Sequence, residues 1–337
     1  MIIEIVKIFV FPGIAFILFM AFFSSWMVRK IVARMENRVG PPFLQPYYDM
    51  GKLLAKQRVY PHESIASIMH LMPMIQLGVA ILIALFMPVY SPKGILSFDG
   101  DVYFILFLIS IHGATAYFVG WASRNPYTIS GAGRAVMTEI SLEIPLAVSI
   151  ASMGIMTKSI RISEMTEKLG ISMFPRTETG EIVNKLTWLY LIPWTILIIV
   201  AIYSAIGALE LSPFSAPHAE TEIVHGWSTE LTGADLAMTE MADMVNLFNL
   251  SALITAIFLG GPRTGLIILN LIEPWTYVIG FLFFLMKFLL VMFILSYIYV
   301  LSGRLRIDQI ISALWSYFLP LSLIGMLLVL ILETIGG

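Results

Sequence analysis

Apolar residues occur in long runs along the whole chain, separated by short polar segments. A helix needs about 20 apolar residues to cross the hydrocarbon of a bilayer. Eight runs reach roughly that length, at 5–28, 65–90, 102–121, 136–157, 186–208, 237–259, 266–301 and 309–334. None alternates in the roughly ten-residue units of a membrane β-strand. The pattern predicts an all-α membrane bundle, one domain over 1–337, with eight spans.

Two interruptions of this pattern predict local structure. The seventh run is too long for one straight crossing and contains Pro274, which removes a backbone donor. We therefore expect a short first piece and a second helix from about residue 275. In the loop between spans 1 and 2, a short amphipathic helix is predicted from about Pro46. It serves either as an interfacial anchor or as a docking surface for a soluble partner.

Composition agrees with a membrane protein and excludes several kinds of chemistry. Hydrophobic residues make up 58% of the chain and charged residues 12%, and the mean hydropathy is +0.89. Cysteine is absent, so this chain holds no thiolate-bound zinc or iron–sulfur cluster. The net charge of −2 lacks the excess of positive charge that is typical of nucleic-acid-binding proteins. Any redox chemistry must therefore belong to a bound molecule or to a partner, and we expect no cofactor or metal bound by this chain.

Basic residues predict the orientation in the membrane, because the cytoplasmic side is normally richer in Lys and Arg. One side carries eleven and the other seven. The eleven are Arg29, Lys30, Arg34, Arg38, Lys52, Lys56, Arg58, Arg124, Arg134, Arg304 and Arg306. The chain is thus predicted to be a multi-pass protein of the cell membrane with both termini outside.

Between Lys185 and Arg263 there is no lysine or arginine, yet seven carboxylates occur there. They are Glu210, Glu220, Glu222, Glu230, Asp235, Glu240 and Asp243. Keeping an acid ionised in or near a bilayer costs free energy, so such acids are usually functional. They indicate that the protein handles protons or cations. The alternative is a solvated acidic loop. Apolar residues interleaved with the acids, such as Phe214 and Trp227, favour packing into protein instead. His218 and His225 could titrate near neutrality or be surface residues.

Charges also occur inside predicted spans. Glu139 and Glu143 are four residues apart, and hence on one helix face. Glu139 could instead lie near the headgroups and be hydrated. Lys287 is surrounded by apolar residues, and a buried ammonium needs a partner. We expect a pair or relay across the bundle, with Glu143 as one candidate partner.

Several motifs in a fixed order resemble the H-subunit (subunit 1) family of respiratory complex I and its counterparts in membrane-bound energy-converting hydrogenases. The resemblance covers nearly the whole chain beyond span 1. It is carried by 37–41, Asp49, Lys52, Lys56, 120–123, Tyr127, 131–135, Glu143, 213–214, Pro217, 219–220, Glu222, Gly226, Glu230, Gly233, 251–253, 260–261, Lys287, 304–309 and 319–321.

The resemblance implies a subunit at the junction of membrane arm and redox arm, with no redox centre of its own. Its buried acids would begin a charged pathway toward antiporter-like membrane subunits. We predict the pathway residues as Glu139, Glu143, Glu210, Glu220, Glu222, Glu230, Glu240, Asp243 and Lys287. The residues facing the redox arm would be Arg38, Asp49, Lys52, Lys56, Arg134, Arg304, Arg306 and Asp308.

Departures from the family pattern bear on the sub-type. Val28, Ser215 and His218 stand where quinone-reducing members have acids. The resemblance therefore favours a ferredoxin-driven hydrogenase-like or sulfur-reducing complex that exports H⁺ or Na⁺. Its partners would be a hydrogenase-like catalytic subunit and iron–sulfur subunits on the cytoplasmic side, with a [NiFe]-type site among them. The alternatives are the quinone-site subunit of a complex I-type oxidoreductase and a stand-alone secondary ion transporter. The absence of a visible internal repeat argues against the transporter.

Overall fold

The computed structural model describes residues 7–169, 187–263 and 273–336, with the side chains of 187, 188, 220, 221, 273, 274 and 336 left out. In this part of the chain there are helices and no strands. The helices are α1 (Ile14–Met35), α2 (Gln45–Leu54), α3 (Ala66–Leu85), α4 (Asp101–Ala122), α5 (Pro126–Thr157), α6 (Ile162–Leu169), α7 (Leu191–Ala208), α8 (Glu220–Ile223), α9 (Gly233–Leu259), α10 (Glu273–Leu301), α11 (Ile307–Ala313) and α12 (Leu319–Gly336).

Eight helices in the described residues are long and apolar enough to cross a membrane, as predicted. They are α1, α3, α4, α5, α7, α9, α10 and the pair α11–α12, which a π-helical turn at Leu314–Phe318 joins. The short helix α2 confirms the predicted amphipathic segment. Helix α10 begins at Glu273, close to the predicted restart at 275, and the proposed piece before it lies outside the described residues.

Several helices extend beyond the predicted spans. Helix α1 runs to Met35, so Arg29, Lys30 and Arg34 lie in its last turns and not in the following loop. Helix α5 begins at Pro126 and takes in Arg134, and α9 begins at Gly233 and takes in Asp235. The predicted boundaries were short because an apolar run measures the hydrocarbon thickness, whereas a helix can continue through the headgroups with charged side chains.

The centre of the bundle is α9. From Met244 to Phe258 every residue of α9 is buried, since α1, α3, α6, α7 and α10 all pack around it. A helix in such a position is expected to be largely apolar on all sides, and Asn246, Asn249, Ser251 and Thr255 are the polar exceptions here. The acidic residues of α9 lie in its first three turns, before this apolar half begins. The helix ends at Gly260, whose φ of +69° suits a left-handed C-terminal cap.

The loops 36–65, 123–125, 209–232 and 302–306 meet at one end of the bundle, which we refer to as the basic end. The backbone N–H of Ile65 donates to the carbonyl of Ala122, and that of Leu305 to the carbonyl of Pro213. Thr232 Oγ1 accepts from Val59 N–H at 2.8 Å and donates to the Val59 carbonyl at 3.0 Å. The four loops therefore form one continuous surface.

Candidate functional site

The acidic loop enters the bundle at Glu210, directly after α7. Its carboxylate forms an ion pair with His218 and accepts a hydrogen bond from the indole of Trp227 at 3.4 Å. Burial opposes charging of both groups, but their mutual attraction prevails. The pKa of Glu210 is lowered, and the pKa of His218 is raised to about 9. Glu210 and His218 therefore form a charged pair at neutral pH.

Glu139 and Glu143 lie on the face of α5 that packs against α4, as their spacing predicts. The Glu139 carboxylate rests against Gly113, where an added Cβ would collide with it. Ser110, one turn before Gly113 on α4, lies beside the Glu143 carboxyl. Glycine at 113 thus makes room for a carboxylate between two helices, and Glu139 faces the bundle interior and not only the headgroups.

A histidine that the sequence pattern did not single out brings three helices together. His112 of α4 has its Nε2 3.4 Å from Oδ1 of Asp243 on α9 and 3.2 Å from the amide nitrogen of Gln76 on α3. The Asp243 side chain is 46% exposed, so it opens to the outside of the chain, whereas Gln76 is fully buried. A polar ring within an apolar span was the signal that could have identified His112.

His112 and Glu139 line the same small cavity, together with Asn246 and Asn249 of α9. Asn249 also donates to the carbonyl of Ala80 on α3 at 2.8 Å. The electrostatic neighbours of Glu139 include Glu143, Glu210 and Asp243. Acids that lie far apart in sequence thus interact electrostatically with the one acid, Glu139, that lines this cavity.

A second buried acid lies at the first turn of α9. Asp235 is fully buried and accepts a hydrogen bond from the hydroxyl of Tyr60 at 2.5 Å. Its other oxygen lies 2.9 Å from His70 Nδ1 and 3.5 Å from Arg58 Nε. Burial and the contact with Asp235 raise the pKa of Tyr60 to about 12. The sequence pattern placed Asp235 in the acidic loop, among the seven acids of that stretch but outside the predicted pathway residues.

The remaining predicted pathway acids lie at or near the basic end. Glu222 is half exposed and forms ion pairs with Arg134 at 2.5 Å and Arg304 at 3.5 Å. These arginines, together with Arg306, lower the pKa of Glu222. Glu230 accepts a hydrogen bond at 2.6 Å from the Asn125 amide, whose oxygen caps α5. Glu240 is partly buried one turn before Asp243. The side chain of Glu220 lies outside the described residues.

The residues predicted to face the redox arm are also at the basic end. Asp49 accepts from Arg29 at 3.1 Å, which ties α2 to α1, and from Gln45 of its own helix at 2.9 Å. Arg38 pairs with Glu36, and Arg306 N–H donates to the Gln309 side chain at 3.1 Å. Exposed side chains in this set are those of Arg38, Lys52, Lys56, Arg304, Arg306 and Asp308. They form a charged surface available to a partner.

Lys287 does not pair with Glu143, and that expectation was wrong. Its ammonium donates to the carbonyls of Leu259, Gly261 and Arg263 at 2.7, 2.8 and 3.0 Å. These carbonyls lie at the end of α9, where a helix leaves oxygens without intrahelical partners and the dipole favours a cation. Lys287 is therefore satisfied by backbone oxygens at the end opposite the basic end.

Among the described residues, no group of three or more His, Asp or Glu side chains is arranged to hold a metal ion. The two histidines of the acidic loop contact each other by ring packing, and His218 Nδ1 lies 3.3 Å from the His225 carbonyl. His218 thus lies between the Glu210 carboxylate and the backbone carbonyl of His225.

Comparison with known proteins gives matches over almost the full chain. A family described as NADH dehydrogenase matches residues 6–330. The H-subunit of NADH-quinone oxidoreductase from Phocaeicola vulgatus is 30% identical over 322 residues, 93% of this chain and 86% of that relative. Its counterpart from Brevibacillus brevis is 28% identical over 321 residues, with 91% and 86% covered.

A solved structure shares the fold. A chain of the membrane-bound sulfane sulfur reductase, an archaeal respiratory membrane complex, superposes with a TM-score of 0.78. The superposition covers 94% of this chain and 96% of the other, at 22% sequence identity.

Proposed function

Because the chain belongs to the NADH dehydrogenase family as a multi-pass membrane subunit of complex I type, we propose that it couples electron transfer in a docked iron–sulfur arm to ion translocation. The observation that supports this most is that Glu210 and Asp243, on two other structural elements, are electrostatic neighbours of Glu139, which lines an internal cavity. A purely structural membrane protein does not need such a costly arrangement.

Ions would enter from the basic end and pass inward. Asp243 is exposed to the outside of the chain, and Glu139 and Glu143 lie further along the α4–α5 interface. When one acid of such a group takes up a proton, the pKa values of its neighbours change. An event at the basic end can therefore change the charge of Glu139. From there the charge would pass to antiporter-like membrane subunits.

The charged surface at the basic end would dock the redox arm. It consists of Arg38, Asp49, Lys52, Lys56, Arg134, Arg304, Arg306 and Asp308, to which we add Glu222 because it is paired with Arg134 and Arg304. The partners would be iron–sulfur subunits and a hydrogenase-like catalytic subunit with a [NiFe]-type site, with ferredoxin as electron donor. This chain would contribute no redox centre of its own.

The sub-type proposed is the hydrogenase-like or sulfur-reducing one. His218 stands where quinone-reducing members have an acid, and here it neutralises Glu210 by forming an ion pair. The second candidate is a quinone-reducing complex, which the names of the matched relatives favour. The two differ in a direct measurement: a purified complex of the first type turns over with ferredoxin in the absence of any quinone, and one of the second type does not.

The coupling role can be tested in the whole complex reconstituted in vesicles. Glu139→Gln and Asp243→Asn keep the shape of each side chain and remove its charge. We expect each to reduce redox-driven ion export by at least tenfold while the complex still assembles. Glu63→Gln, at an exposed position of the basic end, is the matched control and should export ions normally. Normal export by both Glu139→Gln and Asp243→Asn would refute the proposed function.

A further inference from the structure

His112 occupies a position between two acids that no direct contact joins. On one side its Nε2 lies 3.4 Å from Asp243, which is open to the outside of the chain. On the other, the ring lines the small cavity that also touches Glu139. Asp243 is on α9 and Glu139 is on α5, so the imidazole on α4 bridges the helices that carry them.

Two of the residues that line this cavity carry a polar atom without a partner. Among the described residues, the buried atoms without a hydrogen-bond partner include His112 Nδ1 and Asn249 Oδ1. Asn249 is 2% exposed and lines the cavity. A buried polar atom left unpaired costs about 1–3 kcal/mol. Two such atoms on the lining of one cavity indicate a binding site for a small polar molecule.

The cavity has the size and lining of a water site. Its volume is about 10 Å³, and roughly 10–15 Å³ is what one water molecule needs, together with two to four polar partners. His112, Glu139, Asn246 and Asn249 supply those partners, and apolar side chains and Ala208 close the rest of the wall.

We propose that His112 is a proton-relay residue, which passes protons between Asp243 and Glu139 through a water molecule in this cavity. The inference rests on the proposed coupling function and adds to it the ion that crosses at this point. That ion is H⁺, since an imidazole ring has two nitrogens and can bind a proton at one while it releases a proton from the other.

The transfer balances without any other reactant. The Gln76 amide nitrogen lies 3.2 Å from Nε2, which suits a ring that is unprotonated at Nε2 and carries its proton on Nδ1. A proton leaves the protonated carboxyl of Asp243 and binds Nε2. The proton on Nδ1 leaves to the water, and the water gives one of its own protons to the Glu139 carboxylate. Asp243 ends ionised, Glu139 ends neutral, and the ring has changed tautomer.

The test compares substitutions in the whole complex in vesicles, with redox-driven proton uptake and complex assembly measured for each. His112→Gln keeps a polar side chain that cannot transfer protons. We expect at least a tenfold loss of proton uptake with assembly unchanged. His62→Gln is the matched control, because His62 is exposed at the basic end, and uptake should stay within twofold of the unsubstituted complex.

Two outcomes separate the relay from the proposed function. If His112→Gln takes up protons normally while Glu139→Gln is inactive, the relay is wrong and the coupling function stands. If both variants take up protons normally, both proposals are wrong. Proton uptake that disappears when Na⁺ is replaced by choline would show that H⁺ is not the ion at this point, and would also overturn the relay.

A second variant covers the case in which His112→Gln fails to assemble. Ala208→Val adds two methyl groups at the wall of the cavity and changes no titratable group. Because the cavity holds about one water molecule, the larger side chain should exclude it and cause a similar tenfold loss. Normal proton uptake by an assembled Ala208→Val complex would overturn the relay.

Discussion

The hydroxyl of Tyr60 donates a 2.5 Å hydrogen bond to the buried carboxylate of Asp235. Tyr60 belongs to the loop that follows α2, and Asp235 lies in the first turn of α9. The same loop exchanges two hydrogen bonds with Thr232, and a side chain on Gly233 would collide with the carbonyls of Lys56 and Gln57. The surface proposed to dock the redox arm is thus attached to the helix that carries Asp243.

This attachment predicts an effect of Tyr60→Phe. The substitution leaves a buried carboxylate with one partner fewer, and hydrogen bonds to charged groups contribute about 1.5–3 kcal/mol. We expect a lower thermal unfolding temperature of the purified complex and fewer ions exported per electron. Tyr48→Phe, at an exposed tyrosine of α2, is the control. Equal stability and coupling in the two variants would show that the contact has no such role.

Substitutions at Glu143 and Glu220 test the pathway beyond the residues already considered. Glu143→Gln and Glu220→Gln each remove a charge while keeping the side-chain shape. We expect ion export to be abolished, or turnover to stall, with assembly intact, because a charged pathway fails when one member cannot ionise. The measurement is export in vesicles beside the Glu63→Gln control. Unchanged export by either variant removes that residue from the pathway.

The Glu210–His218 pair predicts a pH dependence of stability. The pKa of His218 is raised to about 9, above the ordinary value of about 6.5. Its contribution to stability is therefore complete below about pH 6.5, declines as the pH rises and is lost above about pH 9. Glu210 depends on pH in the opposite direction. Because its pKa is lowered, its contribution to stability is present at neutral pH and is lost as the pH falls through that pKa.

The measurement is thermal unfolding between pH 6 and 10 for the complex and for its His218→Gln variant. We expect the variant to be less stable near pH 6 and the difference to shrink as the pH passes 9. His62→Gln again serves as control. A difference that does not change with pH would show that the His218 charge contributes nothing to stability.

Lys287→Met should destabilise the protein without altering coupling. The lysine satisfies three carbonyls at the end of α9, and each unpaired buried group costs about 1–3 kcal/mol. We expect a lower unfolding temperature but an unchanged number of ions exported per electron in complexes that assemble. Lys93→Met, at an exposed position, should change neither. A changed ion-to-electron ratio in Lys287→Met would return Lys287 to the pathway.

The ion pairs of Glu222 predict a defect in assembly. Exposed pairs contribute about 0–1 kcal/mol to a fold, so Glu222→Lys should leave the isolated protein stable. It places a positive charge beside Arg134 and Arg304, and we expect reduced co-purification of the iron–sulfur subunits. Glu164→Lys, at the opposite end of the bundle, is the matched control. Full co-purification of Glu222→Lys would exclude Glu222 from the docking surface.

Most of the fold could be predicted because each spanning helix must bury about 20 apolar residues in lipid. Each span is therefore visible in the sequence as a long apolar run. The positions of α2, α4 and α10 followed from such local patterns. The helix ends did not, because charged turns outside the hydrocarbon resemble loops in composition. Arg134 and Asp235, which we had placed in loops, lie in helices for this reason.

The sequence by itself determined the eight membrane helices, the family and the excess of acids near the basic end. Only the tertiary structure decided which side chains meet. It placed His112 between Asp243 and the cavity of Glu139, and it gave Lys287 three carbonyls in place of Glu143. Such contacts depend on the rotation and depth of each helix against its neighbours. Packing between helices distant in sequence sets both quantities, and no local pattern of residues specifies them.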